Sequence, residues 1–277
     1  MKLAYYPGCS LESTAKEYDQ SSRSVCAALD LELLEVEDWS CCGSTSAHNL
    51  NHALATALPA RNIALAQKNG LDVTVPCAAC FARLRKADYM MRYDQEARRQ
   101  IEEIVGFKYK GEIRIISLVE AMVDKVGLDS ISSNVVKPLD GLKVACYYGC
   151  LMVRPPEVQG FDSVENPVML DNLVNSLGAQ AVKWSYKTEC CGASLSLTNT
   201  NVVQGAVARI VNAAREAGAA AIVTSCPMCQ SNLEMRQGSD KMPSFYFTEL
   251  MGLAFGLNEA QGWLGKHLID PRGVVNI

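Results

Sequence analysis

Ten of the chain's cysteines stand in two sets of five that keep the same order and much of the same spacing. This duplication constrains the fold more than any other feature. KLAYYPGCS at 2–10 is answered by KVACYYGCL at 143–151, WSCCGS at 39–44 by TECCGA at 188–193, and VPCAAC at 75–80 by TSCPMC at 224–229. In both sets 34 residues separate the cysteine pair from the CxxC. The stretch before the pair is 31 residues in the first set and 39 in the second, so the second repeat carries an insertion. ISLVEAM at 116–122 and FYFTELM at 245–251 extend the echo. The join falls in the polar stretch DSISSNVVKP at 129–138, which predicts two domains, 1–138 and 139–277. Residues 1–138 carry 16 basic and 18 acidic groups and 139–277 carry 10 and 12, so neither half is a charged tail.

Each half reads as alternating strands and helices. In the first, strands are expected at 3–6, 31–36 and 71–75, with helices over 13–29 and 53–68. The second repeats this with strands at 142–147, 180–184 and 221–224 and helices over 166–177 and 202–217. Strand–helix alternation argues for parallel sheets with right-handed crossovers. The expected class is therefore α/β, as two homologous repeats related by a pseudo-twofold axis. Each repeat is a small parallel-sheet domain with flanking helices.

In this arrangement Cys9, Cys41–Cys42 and Cys77/Cys80 follow three successive strands, as do Cys150, Cys190–Cys191 and Cys226/Cys229. Carboxyl ends of parallel strands are where sites form, so each half should gather one five-cysteine nest. Nearby helix amino termini would favour thiolate charge. Zinc takes four ligands and so does an ordinary cubane [4Fe–4S] cluster, so either leaves one sulfur over. Iron–sulfur, zinc and a dithiol array all remain open on spacing alone. With 49% apolar residues the chain can bury a core without disulfide staples, so the cysteines read as metal or redox ligands in a reducing compartment. A net charge of -4 gives no case for nucleic acid or an anionic membrane. No apolar run is long enough to span a membrane, and no secretory signal is visible, so a cytoplasmic location is expected.

The pattern C-x31-CC-x34-CxxC, then C-x39-CC-x34-CxxC, resembles the duplicated CCG cysteine-rich domain, above all the B subunit of heterodisulfide reductase. YYPGCSLES at 5–13, DWSCCGSTSAHN at 38–49, RPPEVQGFDSVENP at 154–167 and YKTECCGASL at 186–195 carry the likeness over essentially the whole chain. Components of glycolate, lactate, fumarate and succinate systems belong to the wider family, and the RPPEVQGFDSVENP stretch favours heterodisulfide reductase over them. The resemblance implies two noncubane [4Fe–4S] clusters, one per repeat, each held by five cysteines and flanking a shared cavity. Cys9, Cys41, Cys42, Cys77 and Cys80 would hold one, and Cys150, Cys190, Cys191, Cys226 and Cys229 the other. It further implies reduction of a coenzyme M–coenzyme B type disulfide to two thiols; if two clusters each deliver one electron to the S–S bond, Cys42 and Cys191 are expected to be essential. The chain has no flavin or nicotinamide fingerprint, so electrons are expected from partners. By analogy these are the flavin- and iron–sulfur-containing component and the small ferredoxin-like component of a heterodisulfide reductase complex. Two other readings stay open: an electron-transfer subunit of a 2-hydroxy-acid or succinate/fumarate oxidoreductase, and a zinc-stabilised interaction module.

Outside the nests, Cys26 and Cys146 read as core filler. His48, with His52 four residues on, is a candidate proton donor near the first cluster, whereas His267 reads as bland. Lys187 and Arg154 are candidates for steering an anionic thiol substrate. The insert is expected either to line the cavity or to run as a surface loop. The basic segment 81–99 reads as a single helix with a solvated face, or as a docking surface for the electron donor.

Overall fold

The computed structural model describes residues 1–44 and 46–275. The first half runs β1 (Lys2–Tyr5), α1 (Cys9–Glu12), α2 (Lys16–Ala28), β2 (Glu32–Glu35), α3 (Ala47–Leu50), α4 (His52–Lys68), β3 (Val73–Val75), α5 (Ala78–Tyr93), α6 (Gln95–Val105), β4 (Ile115–Ser117), α7 (Leu118–Glu120) and α8 (Leu128–Ser133). The second runs β5 (Lys143–Tyr147), α9 (Cys150–Val153), α10 (Pro156–Gln159), α11 (Met169–Ser176), β6 (Gln180–Ala181), α12 (Thr200–Glu216), β7 (Ala221–Thr224), α13 (Pro227–Met235), β8 (Ser244–Tyr246), α14 (Phe247–Ala254) and α15 (Ala260–Leu264). The strands form two parallel four-stranded sheets of identical order, β2-β1-β3-β4 and β6-β5-β7-β8. The α/β class and its duplication are thus as expected.

Parallel strands covered by helices on both faces lose all contact with water, and the central ones show it. Every residue of β3 and β7 is buried, whereas β2, at a sheet edge, alternates Glu32 and Glu35 outward around Leu33 and Leu34. In each sheet the chain steps from the first strand to one side and then to the other. That step leaves a crevice at the carboxyl end of β1 and β5. Cys26 and Cys146 are buried in the core, as small hydrophobes.

Three features differ from the expectation. β4 and β8 add a fourth strand to each sheet, and because each runs directly into a helix, at Leu118 and Phe247, its apolar residues merge with the helical pattern. The basic segment is broken at Asp94, which is extended and accepts the Ala97 N–H at 2.9 Å, so it ends α5 and caps α6. The insert is neither a free loop nor a lining of the cysteine cavity. Its helix α10 packs on α5, where Arg85 donates to Val158 O at 3.1 Å and Gln159 O at 2.9 Å.

The halves are interleaved rather than merely tethered. α14 and α15 pack on α2, α9 and α10 on α5, and α11 on α8. Beneath α13 lies a buried ionic cluster that the sequence did not announce. The His267 imidazole sits between Glu234 (Nδ1–Oε1, 2.5 Å) and Glu249 (Nε2–Oε1, 2.9 Å). Burial by itself would depress its pKa, but hydrogen bonding to the two carboxylates outweighs that and pushes it up to about 10. His267 is therefore a structural cation, not a bland tail residue. Because the folded pKa is raised, its contribution is fully present below the ordinary imidazole pKa of about 6.5 and is lost as pH climbs through about 10. His267→Gln leaves two buried carboxylates without their cation. Thermal unfolding at neutral pH should show a loss of about 3 kcal/mol, and the stability decline between those two pH values should flatten.

Candidate metal centres

Each cysteine loop is shaped by a local device that recurs in both repeats. Gly8 and Gly149 follow β1 and β5 at φ 75° and 70°, and they turn the chain so that Cys9 and Cys150 begin short helices. A Cβ on Gly8 would stand 2.9 Å from Cys80 Sγ, and one on Gly149 would stand 3.1 Å from Cys229 Sγ. The Tyr6 hydroxyl donates to Ser40 O at 2.8 Å, holding the loop that carries Cys41 and Cys42. Tyr147, its counterpart, donates to Glu189 O at 2.6 Å beside Cys190 and Cys191. Gly43 and Gly192 follow each pair, and their N–H groups donate to Cys41 Sγ at 3.4 Å and Cys190 Sγ at 3.3 Å. Cys77 and Cys226 cap α5 and α13, with Cys80 and Cys229 in the first turns. All four lie at the positive ends of helix dipoles.

The loops bring the sulfurs together. Cys41 lies 3.9 Å from Cys9, Cys42 lies 3.3 Å from Cys80, and Cys191 lies 3.6 Å from Cys229. These separations are far beyond the ~2.0 Å of a disulfide, and every cysteine is free. Charge is divided unevenly among them. Hydrogen bonds from Cys41 and Cys80 hold the Cys42 thiol well below its ordinary pKa, and a bond from Cys150 lowers Cys190 to about 6. Hydrogen bonding to Cys42 and then Cys77 raises Cys80, and hydrogen bonding to Cys191 and then Cys226 raises Cys229. Cys77 and Cys226 meet across the two repeats. Cys226 is the largest influence raising the Cys77 thiol, and Cys77 adds to the Cys229 interaction that lowers Cys226, so the two lie near one another. The two nests therefore adjoin.

All five second-set cysteines line one cavity of about 160 Å³. Its far wall comes from the first repeat: Ser44, His48, Ala78, Ala79 and Arg83. His48 and Arg83 also line a neighbouring cavity of about 220 Å³ with His52, Thr56, Lys86 and Met90. Five cysteine sulfurs beside one cavity, with glycines where a Cβ would crowd them, fit a soft inorganic group. First-set Cys9 and Cys41 are exposed, and none of the first five reaches this cavity.

The single candidates fare differently. His48 lies across the cavity from the second nest, and its Nδ1 lies 3.2 Å from Arg83 Nη2. Desolvation, then the charges of Arg83 and Lys86, lower its pKa, so the ring is neutral near pH 7. Lys187 is buried and donates to Asp171 Oδ1 at 2.7 Å and Pro167 O at 2.9 Å, and it does not line the cysteine cavity. Arg154 likewise donates to Thr188 O at 2.9 Å and pairs with Glu165. Arg83, which the sequence offered only as part of a basic surface, points inward and donates to Ser44 O at 3.0 Å. Its position three residues after Cys80 puts it on that cysteine's helix face, and this was the available signal. Arg92, Arg98 and Arg99 are paired with Asp88, Glu102 and Glu96, which leaves less of a free basic face than expected.

With these nests defined, the class of protein is clear. The CCG cysteine-rich domain matches residues 3–85 and 144–234, and the chain belongs to that family. It is 31% identical over 97% of both chains to the 8-methylmenaquinol:fumarate reductase membrane anchor subunit of Wolinella succinogenes. It is 27% identical, over 93% of this chain and 90% of the relative, to the B subunit of the ferredoxin/F420H2-dependent CoB-CoM heterodisulfide reductase of Methanosarcina acetivorans. A protein of Archaeoglobus profundus, itself described as like the B subunit of heterodisulfide reductase, is 28% identical over 86% of this chain and 82% of its own. The likeness to that B subunit is therefore as the motifs indicate, and a fumarate reductase subunit stands beside it. In fold, a hypothetical protein from Helicobacter pylori superposes with a TM-score of 0.74 at 13% identity. That match covers 96% of this chain but 51% of the other, so this chain spans about half its length. Among the described residues no helix is long and apolar enough to cross a membrane.

The glycine cradles give a direct test. Gly8→Ala and Gly149→Ala should each strip metal from one nest and spare the other, read as halved metal per chain on anaerobic purification. The strained φ adds about 1–2 kcal/mol of destabilisation, visible in thermal unfolding.

Proposed function

We propose that this chain is the catalytic iron–sulfur subunit of a heterodisulfide reductase-type complex, reducing a disulfide to two thiols. In this reading Cys9, Cys41, Cys42, Cys77 and Cys80 hold one noncubane [4Fe–4S] cluster. Cys150, Cys190, Cys191, Cys226 and Cys229 hold the other. Residues 1–138 and 139–277 are the units of the duplication. The observation that carries the reading is the paired cavity: one lobe bounded by five cysteines, the next bounded by cationic side chains.

Cleaving one S–S bond consumes two electrons and two protons and releases two thiols. When bound, the two clusters would supply the electrons one at a time, drawn from a flavin- and iron–sulfur-containing partner and a ferredoxin-like partner in the same complex. The chain's own residues do the rest. Arg83 and Lys86 attract an anionic substrate into the second lobe, and Met90 and Ala87 give that lobe an apolar wall. Arg83 donates to neutral His48 at Nδ1, which leaves Nε2 carrying the proton that can pass to a departing sulfur. Holding both ends of the disulfide against Cys190 and Cys191 lowers the barrier by positioning. A cytoplasmic complex suits this chemistry.

A second reading, electron transfer within a fumarate-reducing system, is favoured by the 31% identity to a menaquinol:fumarate reductase subunit. Anaerobic iron and sulfide analysis with EPR after thiol addition separates the possibilities. About eight irons and a thiol-dependent signal support disulfide reduction. Eight irons without that signal point to electron relay, and about two zincs end both readings in favour of an interaction module. On the first reading Cys42→Ala and Cys191→Ala each reduce disulfide turnover to background while circular dichroism stays that of a folded chain. Arg83→Gln raises KM for an anionic disulfide about tenfold, worth ~1.4 kcal/mol, with kcat nearly unchanged.

A further inference from the structure

Within each repeat a tyrosine at the end of the first strand ties the first cysteine loop to the second, through Tyr6 and Tyr147. A third tyrosine, Tyr18 of α2, joins one repeat to the other. It is fully buried, and its hydroxyl lies 3.1 Å from Pro76 O and 3.1 Å from Ser225 O. Those carbonyls belong to the residues immediately before Cys77 and Cys226. A single hydroxyl proton is therefore shared between the CxxC loops of the two repeats, at the point where Cys77 and Cys226 meet. The ring cannot swing away. It stacks on Tyr246 with centroids 4.1 Å apart and planes 2° from parallel, and it meets Phe247 edge-on at 6.3 Å. The corresponding helix of the second repeat, α11, contains no tyrosine, so the tie has no copy there.

We propose that Tyr18 is a positioning residue that sets the separation of the two CxxC loops and, through it, the electronic communication between the two metal centres. This rests on the reading of two iron–sulfur centres given above. The physical basis is that both loops begin helices with one cysteine at the cap and one in the first turn, so a movement of either loop carries two ligands with it. A three-centre hydrogen bond in a dry site holds both carbonyls to one point. Without the hydroxyl the two carbonyl dipoles face each other across the interface with nothing positive between them.

Tyr18→Phe tests this, since it keeps the ring and its stack and deletes one oxygen. Thr248→Val is the control, because it breaks the 2.7 Å Ser21–Thr248 contact at the same α2–α14 interface but touches neither loop. Iron and sulfide content, EPR spin–spin interaction between the reduced centres, midpoint potentials, and amide hydrogen exchange of residues 76–80 and 225–229 are measured on the loaded protein. The expected result is unchanged iron in both variants. In Tyr18→Phe alone, exchange is faster in both loops, the spin–spin interaction is weaker and at least one midpoint is shifted. Wild-type exchange and coupling in Tyr18→Phe, or the same losses in Thr248→Val, would overturn the role while leaving the two-cluster reading intact. Zinc in place of iron in the wild-type protein would instead remove the reading on which it rests.

Discussion

Ten sulfurs crowded at the carboxyl ends of two parallel sheets are a charge problem, and the architecture is arranged around it. Thiolates in a dry interior repel one another and demand positive charge or shared protons. Here the compensation comes from helix amino termini at Cys77, Cys80, Cys226 and Cys229, and from the N–H groups of Gly43 and Gly192. It also comes from protons shared between neighbouring sulfurs, as at Cys42–Cys80 and Cys191–Cys229. A bound cationic cluster would complete the balance, which is why the nests fit metal better than a resting dithiol array.

The duplication supplies two nests, but the tertiary packing does not use them alike. The second opens onto a cavity whose opposite wall is built by α3 and α5 of the first repeat, while the first leaves Cys9 and Cys41 exposed at the surface. Side chains from one repeat thus face the cysteines of the other. This explains why α9 and α10 pack on α5 and why the insert is spent on bracing that helix rather than covering the site. The buried His267 cluster plays a related part beneath α13, fixing the helix that carries Cys226 and Cys229.

Much of this was legible from spacing. Cysteines placed after successive strands, with glycine beside them, announce a nest because the backbone geometry of a parallel sheet brings strand ends together whatever lies between. What the side chains of Lys187, Arg154 and His267 do was not legible. A lone charged residue has the same appearance in sequence whether it faces a ligand or a buried carboxylate. The two readings differ only in partners such as Asp171 and Glu249, 16 and 18 residues away along the chain. His48 was read only against the cysteines of its own repeat, a short distance along the chain; that it also faces the second nest follows from packing between the repeats.

The amino-acid sequence alone determined the duplication, the α/β class, the family and the grouping of cysteines into five, five and two. These follow from local periodicity and from repeats, which survive in one dimension. Only the tertiary structure decided that the two nests adjoin through Cys77 and Cys226, that one of them faces a cavity, and that Arg83 and His48 wall it. It alone placed Tyr18 between the loops. Those relations are set by how helices of one repeat pack into the other. Such contacts depend on side-chain shape across 35 residues of chain for His48 and Arg83, and 207 for Tyr18 and Ser225, rather than on any pattern within it.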